Sequence, residues 1–158
     1  MIEKRGFTLH MVGKVKTNSK YYKHIINLIK DLKLSQDVFL YDRLEQEELN
    51  RLYLASEIFI LPSLKEGFGI VLLEAMYHGL PIVTTKISAM PELVTDGENG
   101  LLVPVADPIA LAEAISKLIA HPDLRGQMGE RGRQRVTNSY HWDTTCSKFL
   151  SVIQNMSD

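Results

Sequence analysis

Two glutamates, Glu66 and Glu74, stand on either side of a Gly-Phe-Gly sequence and carry the clearest chemical signal in the chain. Glycines such as Gly67 and Gly69 let a backbone approach a ligand closely, and the first N–H groups of a following helix have no intrahelical acceptor. Together with the positive end of the helix dipole, these glycines and N–H groups predict a site for a phosphate or an electron-rich hydroxyl. A carboxylate does not assist anion binding, so we expect Glu74 to accept hydrogen bonds from hydroxyl donors such as the vicinal diol of a ribose.

Each of these residues also has a purely structural explanation. A Gly-x-Gly loop before a helix is common in α/β folds, and a glutamate near a helix N-terminus often only complements the dipole. The sequence around Glu74, GIVLLEAM, is nevertheless apolar enough to be buried, and an unpaired buried carboxylate is costly. We therefore expect Glu74 to need a partner, and the neighbouring sequence supplies none.

The elements that must position this loop alternate between short apolar segments and helical patterns. Strands are predicted over residues 7–12, 38–41, 58–61, 81–85 and 101–103, and helices over residues 21–34, 45–55, 69–78, 108–120, 122–138 and 142–155. Gly79 is predicted to end the helix that carries Glu74. Strands that are apolar on both faces and alternate with helices predict a parallel sheet in one α/β domain, residues 1–158. Ligands of such sheets bind beyond the carboxyl ends of the strands, where the loop after residue 61 lies.

Composition and charge exclude several other classes of protein. The chain has 158 residues, and its 18 Lys and Arg against 19 Asp and Glu leave a formal net charge of −1, which argues against a basic surface for nucleic acid. The apolar runs fall short of the ~20 residues that span a bilayer, and no secretory signal is visible. The single cysteine, Cys146, can form neither an internal disulfide nor a cysteine-based zinc site. No other cluster has the spacing of metal ligands, so we expect no bound metal. The lack of a visible secretory signal and the single cysteine lead us to expect a cytoplasmic protein.

The sequence PSLKEGFGIVLLEAMYHGLPIVTT, followed by ELVTDGENGLLVP and DPxALAxAI, resembles the donor-binding domain of retaining glycosyltransferases of GT-B architecture. The resemblance is to glycogen-synthase-like and mannosyltransferase-like enzymes that use nucleotide-diphospho-sugars, and it extends over nearly the whole chain. Two glutamates separated by seven residues are the hallmark of this family, and Glu66 and Glu74 match it. The resemblance implies half of a GT-B fold, which is a Rossmann-like, three-layer α/β domain with a mostly parallel sheet and C-terminal helices.

The same resemblance implies a role for each residue of the site. Glu66, the catalytic candidate, would contact hydroxyls of the donor sugar near the reacting carbon, either as a nucleophile or as a stabilising group. The residues implied in donor binding are Gly67, Phe68, Gly69 and Gly13 for the sugar and diphosphate, Glu74 for the ribose, and Arg43 and Leu44 for the base.

The implied reaction transfers a sugar from a UDP- or GDP-sugar to a hydroxyl of a sugar, lipid-linked sugar or polysaccharide acceptor in glycan or polysaccharide biosynthesis, with no cofactor. The family's donor domain begins one strand and one helix earlier and is joined to an N-terminal acceptor-binding domain. We therefore expect this chain to lack its first strand–helix unit and to be inactive alone. Three alternatives stay open, namely a nucleotide-sugar epimerase of the same architecture, a non-catalytic nucleotide-binding remnant, and one half of a split enzyme. Residues 117–135, with five basic and two acidic side chains, leave contact with an anionic membrane surface open as well.

Overall fold

The computed structural model describes residues 6–14 and 17–140. Its contacts divide the chain into two units, Met1–Arg51 and Leu52–Asp158. Every strand pair among the described residues is parallel. Parallel strands need a crossover connection of a dozen or more residues, which is usually a helix. Short apolar segments that alternate with helices therefore predicted this parallel pairing.

The first unit contains a two-stranded parallel ladder. Its elements are β1 (Leu9–Val12), α1 (Lys20–Asp31), β2 (Val38–Tyr41) and the start of α2 (Gln46–Ala55), which continues into the second unit. In the ladder, Leu9 stands opposite Val38. The side chain of Ser19 caps α1 by accepting a hydrogen bond from Tyr22 N at 3.1 Å, which satisfies one of the N–H groups that a helix start leaves unpaired.

The second unit contains a three-stranded parallel ladder in the order β3-β4-β5. Its elements are β3 (Phe59–Leu61), α3 (Ile70–Tyr77), β4 (Ile82–Thr85), α4 (Met90–Leu93), β5 (Gly100–Val103), α5 (Pro108–Ala120) and α6 (Pro122–Ser139). Val83 of the central strand stands opposite Ile60 on one side and Leu101 on the other. The carboxyl ends of the three strands therefore share one edge of the ladder, where the loop with Glu66 begins.

The core of the second unit surrounds β4, all four residues of which are buried. Val83 belongs to a cluster with Leu118 of α5 and Met128 of α6. The helix α3 contributes Leu72 and Met76, which are fully buried. Because burying a side chain of this size stabilises a fold by about 1.5–3 kcal/mol, this core keeps the end of β4 and the body of α3 in place.

The predicted α/β fold is confirmed, and most element bounds differ from the predictions by only a few residues. β2 and α5 have the predicted bounds. The helix α3 ends before Gly79, as predicted: φ of Gly79 is +76°, and its N–H donates to Met76 O at 2.9 Å. This is the left-handed helix end for which glycine is preferred.

Two predictions of elements need correction. The first strand is shorter than residues 7–12, because β2 begins at Val38, opposite Leu9, and residues 7–8 have no register partner. The short helix α4 was not predicted, since four residues are too few to show a helical period. The predicted helix 142–155 and Cys146 lie outside the described residues. Among the helices that the structure describes, none combines the length and apolar character needed to cross a membrane.

Candidate functional site

Two threonine hydroxyls hold the loop after β3 against the end of β4. Thr84 Oγ1 donates to Leu61 O at 2.8 Å, and Thr85 Oγ1 donates to Ser63 O at 2.7 Å. Both threonines are buried, so each hydroxyl gains a partner that it would otherwise lack. The loop that carries Glu66 therefore starts from a fixed position at the carboxyl end of the ladder.

The middle of this loop is open. Glu66 is partly buried, and its Oε1 accepts a hydrogen bond from Gly67 N at 2.9 Å. A Cβ built at Gly67 meets no heavy atom within 4 Å, so packing among the described residues does not require a glycine there. Phe68 is 47% exposed. The backbone of residues 66–68 is thus accessible to a ligand.

Gly69 sets the start of α3. It is the N-cap residue with φ +83°, a left-handed conformation that glycine adopts without steric cost. No side chain caps this helix. Leu72 N donates to Gly69 O at 2.9 Å, whereas within the described residues no acceptor reaches the N–H groups of Ile70 and Val71. These N–H groups and the helix dipole can bind an anion.

Glu74 lies one turn into α3 and has a partner in α2. The hydroxyl of Tyr53 donates a hydrogen bond to Glu74 Oε2 at 3.1 Å. No other hydrogen bond to the Glu74 side chain occurs among the described residues, so Oε1 is left for a further donor. The expectation that Glu74 needs a partner that the neighbouring sequence does not supply is confirmed, because Tyr53 is 21 residues away in sequence and only the packing of α2 on α3 brings it close.

The hydroxyl of Tyr53 is a permanent donor in this pair. Burial raises the pKa of the Tyr53 phenol well above its usual value, and the charge of Glu74 and its hydrogen bond raise it further. The ring is held between Phe59, at 5.9 Å between ring centroids, and His78, which stacks at 5.0 Å. The raised pKa keeps the proton on the phenol even at alkaline pH, and the contacts with two rings position its hydroxyl to donate to the carboxylate.

The predicted residues Gly13, Arg43 and Leu44 lie in the first unit, whereas residues 66–74 lie in the second. Gly13 ends β1, and its N–H donates to Tyr41 O at 3.2 Å and to Asp42 O at 3.1 Å. Since that N–H is already engaged, Gly13 offers close backbone approach and not a free donor. Arg43 is exposed and Leu44 partly buried in the loop before α2.

Among the described residues, each unit has a cavity beside the carboxyl ends of its strands. The cavity of the first unit has a volume of about 440 Å³ and is lined by Gly13, Lys14 and Tyr22, among others. The cavity of the second unit has a volume of about 180 Å³ and is lined by Thr85 and Asp107, among others. No group of three or more His, Cys, Asp or Glu side chains able to hold a metal ion is found in the part of the chain that the structure describes.

Three contributors to the site escaped prediction. Tyr53, Thr84 and Thr85 act through hydrogen bonds to residues more than 20 positions away in sequence. The two threonines did carry a signal, since polar residues at the end of an otherwise apolar strand need partners when buried. Tyr53 carried none, because an aromatic residue on the apolar face of a helix is ordinary core material.

Comparison with known proteins identifies the family. A sequence model of the family described as "Glycosyl transferases group 1" matches residues 2–135. The D-inositol 3-phosphate glycosyltransferase of Corynebacterium diphtheriae is 35% identical over 130 residues, which are 82% of this chain and 30% of that protein. The MMP alpha-(1->4)-mannosyltransferase of Mycolicibacterium hassiacum is 33% identical over 151 residues, which are 95% of this chain and 36% of that protein. The chain thus spans about a third of the length of these relatives.

Solved structures agree with this family and with the fold. The C-terminal domain of the group 1 family glycosyl transferase LpcC from Francisella tularensis matches with a TM-score of 0.73 and 28% identity, over 81% of this chain and 66% of that one. Anabaena Alr3699/HepE in complex with UDP matches with a TM-score of 0.84 and 24% identity, over 94% of this chain and 41% of that one. The chain therefore belongs to the group 1 glycosyl transferases, and it corresponds to their C-terminal domain.

Proposed function

We propose that the chain binds the donor of a retaining glycosyltransferase, which transfers a sugar from a nucleotide-diphospho-sugar to an acceptor hydroxyl in glycan or polysaccharide biosynthesis. The observation that carries this proposal is the start of α3, where Gly69 supplies no side-chain cap. It lies between the accessible loop at Glu66 and the carboxylate of Glu74. Of that carboxylate, Oε2 accepts from Tyr53, and Oε1 receives no hydrogen bond among the described residues. This arrangement offers N–H donors for phosphate and carboxylate acceptors for hydroxyls on one short segment.

Each part of the segment has a distinct task in the proposed reaction. The N–H groups of Ile70 and Val71 stabilise the negative charge that develops on the departing diphosphate, and Gly67 lets the donor approach the backbone. A preorganised donor of this kind contributes about 2.7–4 kcal/mol to lowering a barrier. Glu66 binds donor-sugar hydroxyls beside the reacting carbon, where positive charge develops, and Glu74 Oε1 accepts from the ribose diol.

For the remaining parts of the nucleotide we keep the residues that the family resemblance implies, with Arg43 and Leu44 assigned to the base and Gly13 to close approach of the phosphates. A uracil nucleotide is the first choice of probe, since the neighbour Anabaena Alr3699/HepE is bound to UDP. A guanine nucleotide is the second.

Catalysis would need more than this chain. Because the chain spans about a third of the length of its relatives, we assign the acceptor site to a region or partner outside these 158 residues. The purified chain is then expected to bind donors without transferring sugar. Transfer from a labelled nucleotide-sugar by the chain alone would overturn this part of the proposal.

The proposal is tested by thermal denaturation of the chain with UDP, GDP, UDP-glucose or GDP-mannose. A ligand at 100 times its dissociation constant should raise the free energy of unfolding by about 2.7 kcal/mol. The substitution Glu74→Ala should abolish most of this gain, whereas Glu113→Ala, on the exposed side of α5, should leave it unchanged. Absence of any gain with all four ligands would contradict the proposed donor site. Formation of an epimerised nucleotide-sugar during the incubation would show an epimerase instead.

A further inference from the structure

We propose that Tyr53 is a positioning residue for donor recognition: its hydroxyl holds Glu74 so that Oε1 faces the ribose, and this contact sets the selectivity for ribose over deoxyribose. The inference rests on the proposed function, because it takes Glu74 to be the ribose-binding group. It assigns a task to a residue that lies outside the glutamate–glycine loop, in a different helix.

The geometry of the pair restricts the carboxylate. Tyr53 donates to Oε2 at 3.1 Å, and within the described residues Oε1 receives no hydrogen bond. A glutamate side chain has three rotatable bonds, and fixing one carboxylate oxygen removes most of its rotamers. The other oxygen then keeps one direction before any ligand arrives, so the ligand does not have to order the side chain.

The tyrosine is itself rigid enough to act as an anchor. It is 7% exposed. His78, the residue that ends α3, stacks on one part of the ring at 5.0 Å with an interplanar angle of 14°, and Phe59 of β3 contacts it at 5.9 Å. An anchor held by a helix end and a strand transmits little motion to Glu74.

The chemistry of the pair also favours this task. A phenol is protonated at neutral pH, and burial together with the neighbouring carboxylate raises the pKa of Tyr53 further, so its O–H stays available as a donor to Glu74. A carboxylate has two oxygens with about four acceptor positions. One oxygen can therefore remain with Tyr53 while the other accepts from the ligand.

A purely structural role makes a different prediction. If the hydrogen bond only secures α2 to α3, its removal lowers stability and weakens every ligand by the same factor. If it positions Glu74, its removal weakens only ligands that have the hydroxyls that Glu74 contacts. Selectivity between a ribonucleotide and its deoxy analogue separates the two.

The experiment measures the dissociation constants of UDP and 2′-deoxy-UDP by calorimetry with the full 158-residue chain. The variants are Tyr53→Phe, Glu74→Gln and the double substitution. Tyr77→Phe, which removes the same hydroxyl from a residue 65% exposed on α3, is the matched control. We expect the unsubstituted chain and the control to prefer UDP by about tenfold or more, as for a hydrogen bond to a charged group. Tyr53→Phe should reduce that preference to about two- to threefold, mostly by weakening UDP, and the double variant should resemble Glu74→Gln.

Each result supports or overturns a separate statement. If Glu74→Gln keeps the full preference, Glu74 does not bind the ribose, and the ribose part of the proposed function is overturned. If Glu74→Gln loses the preference while Tyr53→Phe keeps it, only the positioning role of Tyr53 is overturned. Additive effects of Tyr53→Phe and Glu74→Gln on UDP affinity would also overturn the positioning role of Tyr53. Failure of the unsubstituted chain to bind UDP or GDP would overturn the donor site and this inference together.

A second replacement covers the case in which Tyr53→Phe does not fold. A trifluorinated tyrosine at position 53 keeps the ring and the hydroxyl but ionises much closer to neutral pH. A phenolate cannot donate to Glu74 and repels it, so UDP affinity should fall as the pH rises through this pKa. The unsubstituted chain should show no such fall, and a flat profile for the fluorinated chain would overturn the proposal.

Discussion

Gly69 lies so close to the thioether of Met90 that a Cβ at Gly69 would be 2.6 Å from Met90 Cε. The contact joins the start of α3 to α4, an element of a single turn. Gly69 also has φ +83°, so the same residue meets a steric and a conformational requirement. A side chain at position 69, directly before the proposed phosphate-binding N–H groups, would therefore have to displace the end of Met90.

The substitution Gly69→Ala is expected to destabilise the chain. An L-residue in the left-handed region costs roughly 1–2 kcal/mol, and displacement of the flexible end of Met90 adds a smaller amount. We expect the free energy of unfolding, measured by urea denaturation, to fall by about 1–3 kcal/mol. A fall below about 0.5 kcal/mol would show that α3 can begin without a glycine.

The substitution Gly67→Ala, two residues before Gly69, is expected to leave the stability of the chain unchanged and to weaken donor binding. A Cβ at Gly67 would have no heavy atom of the described residues within 4 Å, and φ of Gly67 is not positive. The free energy of unfolding should stay within about 0.5 kcal/mol, as for other surface changes. UDP-sugar affinity should fall at least about tenfold, because a methyl group would occupy space proposed for the donor. An unchanged dissociation constant would place the donor elsewhere.

Removal of the Thr84 hydroxyl should loosen the loop that carries Glu66. Thr84→Val keeps the shape of the side chain but removes the hydrogen bond from the hydroxyl to Leu61 O, at a cost of about 0.5–1.5 kcal/mol. Thr84→Ser, which retains the hydroxyl, should lose less in the same urea titration. Equal losses for Val and Ser would assign the effect to packing and not to the hydrogen bond.

Two glycines of α6 should respond to alanine in opposite directions. A Cβ at Gly129 would overlap the carbonyl oxygen of Gly79, whereas a Cβ at Gly126 would have no atom within 4 Å in the part of the chain that the structure describes. Gly129→Ala must separate α3 from α6 and is expected to cost more than about 3 kcal/mol. Gly126→Ala should stabilise the chain by about 0.5–1 kcal/mol, since alanine is the better helix former. Thermal denaturation of the two variants under one condition tests the pair, and similar melting temperatures would refute the close approach of α3 and α6.

The elements of the fold could largely be predicted from local sequence. Apolar segments of three or four residues and helical spacing mark the strands and the longer helices, and Gly79 marks the end of α3. These signals depend on neighbours within about one or two helical turns, which a sequence displays directly. α4 carries no such signal because a single turn has no period to detect, and the start of β1 is decided by where β2 begins.

Part of the candidate site could likewise be predicted from local sequence, and part depends on tertiary contacts. The two glutamates and the glycines between them lie within nine residues at the start of one helix, so the local sequence predicted a site for a phosphate or a hydroxyl, and the resemblance to a glycosyltransferase family implied the nucleotide-sugar donor. The tertiary structure alone decided that Tyr53 supports Glu74, that Thr85 secures Ser63, and that a side chain at position 69 would meet Met90. These contacts join residues about 20 positions apart in different elements. Side chains at such separations meet only after the helices and strands have packed, so no local pattern encodes their distance.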